Sequence, residues 1–119
     1  MDRVRFVTHQ GKQILLVDYT NCMRQTLLDI LKERERIVLA QPPGSVLTLV
    51  DVTGVQVSKD VVEEVKKNAV RERDRVKRAA VVGAESVPKV LFDSVGTFAV
   101  RDYHTFPTRE AALEWLVQE

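Results

Sequence analysis

The stretch 45–54, which reads SVLTLVDVTG, decides the fold of this chain. A run of apolar and β-branched residues ends in the polar tetrad DVTG at 51–54, and a long charged stretch with helical spacing follows. A strand without polar alternation is typical of a parallel sheet that is covered on both faces. In such folds the loop after the strand is where sites usually lie. The sequence therefore predicts an α/β fold with the 46–52 strand at its centre and a candidate site in this loop.

Two strands and a helix are predicted on the N-terminal side of the central strand. The strand over 4–8 alternates apolar and polar side chains, whereas the strand over 13–18 is apolar on both faces, which is typical of an edge strand beside a buried one. A turn containing Gly11 joins them. A helix over 23–40 follows, and Arg34 falls inside its apolar stripe. The apolar members of this stripe are Met23, Leu27, Leu31 and Val38.

Helices and strands also alternate on the C-terminal side. Ser58 is the predicted N-cap of a helix over 59–77, which leads into a wholly apolar strand over 79–82. A third helix begins near Pro88, and a last helix follows a strand over 103–106. The alternation predicts one α/β domain spanning the whole chain, with a mostly parallel sheet of four or five strands, an antiparallel N-terminal edge strand and four helices.

Composition excludes several classes of function. The net charge is +1, so no global imbalance favours nucleic acid or a membrane surface. No apolar stretch approaches the ~20 residues that a membrane-spanning helix needs, and no apolar leader follows Met1. The single Cys22 has no partner for an intramolecular disulfide. We therefore expect a cytoplasmic protein without a membrane span.

The central stretch resembles the bacterial anti-sigma-factor antagonists, whose domains are of the STAS or SpoIIAA-like type. Further points of match are KQILLVDY at 12–19, AAVVG at 79–83 and TREAALEWL at 108–116. The resemblance thus covers nearly the whole chain, and it is to a branch of STAS-like domains whose function is unknown. It implies the same α/β fold and a non-catalytic regulatory role.

The resemblance also implies roles for the residues of the loop. In the well-studied relatives the tetrad reads Asp-Ser-Ser-Gly, and a partner kinase phosphorylates the second serine. Asp51, Thr53 and Gly54 match the aspartate, the phosphoacceptor and the glycine, whereas Val52 replaces the first serine. A phosphate there would lie near the start of the helix capped by Ser58, where amide dipoles favour negative charge. The alternative is that Asp51 and Thr53 only hydrogen-bond loop amides and shape the turn.

A basic stripe is predicted on the helix after the loop. Its members, at helical spacing, are Lys67, Arg71, Arg75 and Arg78. Such a stripe is suited to an acidic partner or a phosphate backbone, but a run of charges more often forms a solvated helix face. The helix carries no aromatic residue that would stack on bases, so no sequence-specific binding of nucleic acid is expected.

No group of residues in the sequence predicts a catalytic, cofactor or metal site. His9, His104 and Cys22 have no ligand spacing, and neither a nucleophile elbow nor a phosphate-cradling glycine motif is present. Several aromatic residues cluster late in the chain, where they either fill the core or line an apolar pocket. They are Phe92, Phe98, Tyr103, Phe106 and Trp115.

Two functions follow from the sequence. The first is a non-catalytic regulatory or interaction domain that binds a protein partner, such as a kinase or another regulator, through the loop of Asp51, Thr53 and Gly54. The alternative is a carrier of a small apolar ligand or lipid, with a pocket between the third helix and the sheet. Whether the chain forms a homodimer is left open.

Overall fold

Five strands and four helices make up the described part of the chain, residues 2–96 and 103–118, in the computed structural model. The strands are β1 Val4–His9, β2 Lys12–Asp18, β3 Val46–Asp51, β4 Val76–Val82 and β5 Tyr103–Phe106. The helices are α1 Arg24–Leu39, α2 Lys59–Glu72, α3 Lys89–Gly96 and α4 Arg109–Leu116, and a 3-10 turn at Ala84–Ser86 precedes α3. None of these helices is long and apolar enough to cross a membrane.

The strands form one sheet in the order β1-β2-β3-β4-β5. The pair β1 and β2 is antiparallel, and all the other pairs are parallel. The predicted architecture is therefore confirmed: a mostly parallel sheet with an antiparallel N-terminal edge strand, four helices, and the 46–52 region at its centre.

The sheet is covered on both faces, which explains why β3 shows no polar alternation. On one face Leu47 and Leu49 pack in a cluster with Ala112 and Leu116 of α4. The other face packs against α1 and α2, and its buried residues include Leu15, Val17, Leu27, Ile30 and Val61. Because β3 is buried on both sides, its end is held firmly and positions the loop that follows it.

Helix α2 is shorter than predicted. It ends at Glu72, and β4 begins at Val76 instead of residue 79. Val76 is buried and pairs with Val46 of β3, beside a register shift at Val46 and Leu47. The pairing and burial of Val76 favour a strand at this position more than the helical spacing of the charged side chains favours a helix. No glycine or proline marks the boundary in the sequence.

The apolar stripe of α1 is confirmed for Leu27, Leu31 and Val38, which are buried. It is wrong for Met23, which occupies the N-cap position and is 64% exposed. The helix therefore begins one residue later than predicted, after a turn that is described below.

Candidate functional site

Thr53 lies in a tight turn that the Asp51 carboxylate holds together. The backbone N–H of Thr53 donates to Asp51 Oδ1 over 3.0 Å, and its hydroxyl donates to the same oxygen over 2.7 Å. Asp51 is only 5% exposed, whereas Thr53 and Gly54 are exposed. A buried carboxylate at the end of β3 thus orients an exposed threonine.

Two glycines allow neighbouring loops to meet at this turn. Gly54 has a φ of +71°, and a Cβ built there would lie 2.1 Å from Asn21 Oδ1. Gly83 has a φ of +80°, and its Cβ would lie 2.2 Å from Thr53 Oγ1. A side chain at either position would be strained by the positive φ, and one at Gly83 would also clash with the backbone of Thr53. Ser86, in the 3-10 turn before α3, accepts a 2.8 Å hydrogen bond from the N–H of Gly54.

A second turn of the same pattern lies directly beside the first. The N–H and the hydroxyl of Thr20 both donate to Asp18 Oδ1, over 2.9 and 2.6 Å. Asp18 and Asp51 are register partners at the ends of β2 and β3. The N–H of Asn21 donates to the carbonyl of Thr53 over 2.9 Å, which joins the two turns. We call residues 18–21 and 51–54 together the two-turn surface.

Arg109 links the two carboxylates of this surface. Its Nε donates to Asp51 Oδ2 over 2.7 Å, and its guanidinium lies 3.6 Å from Asp18 Oδ1. Arg109 is the first residue of α4, whose N-cap Thr108 accepts from the N–H of Ala111 over 3.1 Å. Sequence reasoning missed Arg109, although one signal was present. An arginine in the first turn of a helix opposes the helix dipole, which is less unfavourable where an anion lies nearby.

Both carboxylates are held in the ionised form. Burial raises the pKa of Asp51, but the hydrogen bonds from Thr53 and Arg109 outweigh burial, and the pKa lies below its ordinary value. The pKa of Asp18 is lowered in the same way: burial opposes ionisation, and the Thr20 hydrogen bonds and the charge of Arg109 favour it more. The turns are therefore built around fixed negative charges that Arg109 neutralises in part.

Acid is expected to destabilise this edge of the sheet. A carboxyl whose pKa is lowered by folding contributes stability that is present above its unfolded pKa, near 4, and is lost as the pH falls through the folded pKa. The free energy of unfolding of Asp51→Asn should therefore fall less between pH 7 and pH 3 than that of the unmodified chain. Urea melts at both pH values measure this, with Asp74→Asn, an exposed carboxyl, as the control. An equal fall in all three proteins would contradict the assignment.

Ser58 occupies the N-cap position of α2, as predicted, but it does not cap the helix with its side chain. Its hydroxyl donates to the carboxylate of Asp60, and its carbonyl accepts from the N–H of Val62 over 3.0 Å. Neither bond reaches the two-turn surface, so these contacts do not join Ser58 to Thr53.

The basic stripe predicted on one helix does not form. Lys67 and Arg71 lie on α2, Arg75 lies in the turn after it, and Arg78 lies on β4, because the helix ends early. Each of the four has an intramolecular partner. The partners are Glu64 for Lys67, Glu35 for Arg71, the Gln41 carbonyl for Arg75, and the Gln118 carbonyl with the Trp115 ring for Arg78. Because the four side chains lie on different elements, they do not form one helical stripe.

An apolar cavity of about 190 Å³ lies between the sheet and helices α2 and α3. Phe92 and Tyr103, two of the late aromatic residues, line it. Phe106 and Trp115 pack on the other face of the sheet with α4, and Phe98 lies outside the described residues. The aromatic residues are thus split between a pocket wall and the core. The other lining residues are mainly valines, among them Val50, Val52, Val62, Val65 and Val81.

Buried polar side chains also line this cavity. Arg34 forms an ion pair with Glu72 at 2.9 Å, and the amide of Asn68 donates to the same carboxylate over 2.7 Å. Burial lowers the pKa of Arg34, but the charge of Glu72 and the contact with Tyr19 outweigh it, and the pKa is raised. Within residues 2–96 and 103–118, Thr48 Oγ1 and Arg34 Nε have no hydrogen-bond partner. Sequence reasoning missed this group, although Arg34 inside an apolar stripe was its signal.

The unpartnered hydroxyl of Thr48 predicts an increase in stability on substitution. A buried polar group without a partner costs about 1–3 kcal/mol, and valine has the same shape without the hydroxyl. We expect Thr48→Val to raise the free energy of unfolding by about 1 kcal/mol in urea melts. A loss of stability would mean that the hydroxyl has a partner in the folded protein.

The chain is similar in structure to a solved protein of the DUF3478 family from Shewanella loihica PV-4, described as uncharacterized and as having a SpoIIAA-like fold. The TM-score is 0.70 at 16% sequence identity, and the alignment covers 95% of this chain and 91% of that one. No protein-family model and no curated protein matches the sequence.

This likeness defines the class of the protein by its fold. The likeness concerns the five-stranded mixed sheet and the four helices of the described residues. The chain has a SpoIIAA-like fold, as its sequence resemblance implied.

Proposed function

We propose that the chain is a non-catalytic regulatory domain of the cytoplasm that binds a protein partner, a kinase or another regulator, through the two-turn surface. The observation that carries the proposal is the turn at Thr53. Its exposed threonine is held by a buried carboxylate, which is itself held by Arg109 from the far end of the chain.

A surface built in this way suits recognition. The hydrogen bonds within each turn and between the turns fix the backbone before a partner arrives. Less conformational freedom is then lost on binding, which leaves more of the contact energy as affinity. The carboxyl edge of a parallel sheet is also where α/β folds most often bind their ligands.

Phosphorylation of Thr53 is the proposed means of regulation. The hydroxyl now donates its proton to Asp51, and a phosphate ester would lose that hydrogen bond. It would also add a charge of about −1.5 to −2 beside the Asp51 carboxylate. The phosphate would then compete with Asp51 for Arg109, the cation already bound at this edge. Modification would therefore rearrange the turn and change what binds to it.

A pull-down with variants of the full chain tests the proposed contact. We expect Thr53→Ala and Thr53→Glu to lose a partner that the unmodified chain captures. Thr8→Ala is the matched control, because Thr8 is an exposed threonine that pairs with Gln13 at the opposite end of β2 from Asp18. Equal capture of the same proteins by all four chains would contradict the proposal. Light scattering on the purified chain tests the homodimer that the sequence left open.

The cavity favours a second candidate function, the carriage of a small apolar ligand. Its position between α3 and the sheet is the one that the sequence suggested for such a pocket. The test of this candidate is a titration with an apolar probe, in which the signals of the side chains that line the cavity are recorded.

A further inference from the structure

We infer that the cavity is a regulatory site for the two-turn surface: an apolar molecule bound in the cavity restricts the motion of the turns at Thr20 and Thr53 and raises their affinity for the partner. The inference rests on the second proposed function, ligand binding in the cavity, and connects it to the first. The three loops that meet at the two-turn surface each place a side chain on the cavity lining.

The turn that carries Thr53 begins and ends with side chains that line the cavity. The N–H of Val55 donates to the carbonyl of Val52 over 3.1 Å, so Thr53 and Gly54 are the central residues of a β-turn. Val52 and Val55 both line the cavity, whereas Thr53 and Gly54 are exposed. The exposed tip of the turn and part of the cavity wall are therefore formed by consecutive residues.

The turn that carries Thr20 also begins on the cavity wall. The N–H of Cys22 donates to the carbonyl of Tyr19 over 3.1 Å, which places Thr20 and Asn21 at the centre of this turn. The side chain of Tyr19 lines the cavity, and the residue is 5% exposed. Its backbone N–H donates to the carbonyl of Asp51 over 2.9 Å. Tyr19 thus connects the cavity wall to both turns.

A third connection runs through the loop before α3. Ser86 accepts the hydrogen bond from the N–H of Gly54, and the next residue, Val87, lines the cavity. A change in the packing of Val87 therefore reaches Gly54 through one residue and one hydrogen bond. We call the four side chains that connect the cavity to the two-turn surface the roof residues. They are Tyr19, Val52, Val55 and Val87.

A ligand in the cavity supplies packing contacts that the roof residues otherwise lack. A side chain that faces a cavity has no protein atoms on that side, and it loses the dispersion contacts that a filled core provides. An apolar molecule restores these contacts and restricts the residues that it touches. Binding of the partner to restricted turns then costs less conformational entropy, which gives positive cooperativity. By linkage, the partner raises the affinity for the ligand by the same factor.

Hydrogen exchange of the full chain, with and without toluene, tests the inference. The methyl resonances of the valines that line the cavity report whether toluene occupies it. The N–H groups of Asn21, Thr53 and Gly54 are hydrogen-bonded within the surface, so their exchange measures its local opening. We expect toluene to slow exchange at these groups about fivefold or more. Exchange at Lys12, which pairs with His9 at the opposite end of β2, should stay unchanged.

Two valine-to-alanine variants test whether the effect passes through the roof residues. Val52→Ala removes a roof contact next to Thr53, whereas Val65→Ala removes the same atoms from the cavity wall on α2. We expect toluene to bind to both variants. Exchange at Thr53 should be slowed in Val65→Ala as in the unmodified chain, and much less in Val52→Ala. Equal slowing in the two variants would overturn the inference.

The outcomes with the unmodified chain separate the inference from the function on which it rests. Toluene that shifts the methyl resonances of the cavity without slowing exchange at Asn21, Thr53 and Gly54 would overturn the inference and leave the carrier function standing. If toluene leaves those methyl resonances unchanged, the carrier function and the inference fail together. The partner contact has its own test in the pull-down with the Thr53 variants, so its failure is distinguishable from both.

Discussion

Replacing Leu49 with alanine is expected to lower the free energy of unfolding by roughly 2–5 kcal/mol, the range for a leucine removed from a packed core. Leu49 is 1% exposed at the centre of β3, between Leu16 of β2 and Ala80 of β4. Its side chain packs toward α4, the helix that supplies Arg109 to the two-turn surface. A cavity at this position would therefore weaken the contact between the central strand and that helix.

The control is Lys67→Ala on the exposed face of α2. The side chain of Lys67 is 62% exposed and forms a surface ion pair with Glu64, so its loss should change the free energy of unfolding by no more than about 0.5 kcal/mol. Urea melts of the two variants and the unmodified chain give both values. Losses of similar size at the two positions would mean that the buried and exposed faces are assigned wrongly.

The second large effect is expected at the buried ion pair of Arg34 and Glu72. Removing one member leaves the other charge buried without a partner, which typically costs about 3–5 kcal/mol. We therefore expect Glu72→Leu to be strongly destabilised. The loss should exceed that of any surface carboxylate, because the Glu72 side chain is 3% exposed and also accepts from Asn68.

A double variant distinguishes an unpaired charge from damage to packing. Replacing both members, Arg34→Met with Glu72→Leu, removes both charges and keeps much of the volume, and such replacements are often neutral or stabilising. We expect the double variant to recover most of the stability that Glu72→Leu loses. A double variant as unstable as the single one would show that the pair is needed for shape and not for charge compensation.

The central strand and its loop could be predicted because their signals are local. An apolar run without alternation, a polar tetrad and a charged helix lie within about 30 residues of sequence, and each has a direct structural meaning. The antiparallel edge strand was predicted for the same reason, from the alternation of β1 and the glycine in its turn. These elements depend little on distant parts of the chain.

The errors arose where distant parts of the chain decide the structure. The end of α2 is set by the pairing of Val76 with Val46, and no residue near Glu72 signals it. The bond between Arg109 and Asp51 joins residues 58 positions apart, and single-sequence patterns carry no information on such pairs.

Two features were visible in the sequence but were not interpreted. The Asp-x-Thr spacing occurs both at 18–20 and at 51–53, and the structure brings the two copies together. Arg34 interrupts the apolar stripe of α1, and it is the residue that pairs with Glu72 beside the cavity. The position of Arg34 departs from the apolar pattern of its helix, and such departures are expected where function competes with packing.

The measurement that tests the proposed function most directly is the affinity of the purified partner for the unmodified chain, Thr53→Ala and Thr8→Ala, determined by calorimetric titration. If the two-turn surface is the contact, Thr53→Ala should weaken binding about tenfold or more, which is about 1.4 kcal/mol. Thr8→Ala should bind as the unmodified chain does, and all three chains should remain folded at the temperature of the titration. Equal affinity of Thr53→Ala and the unmodified chain would contradict the account.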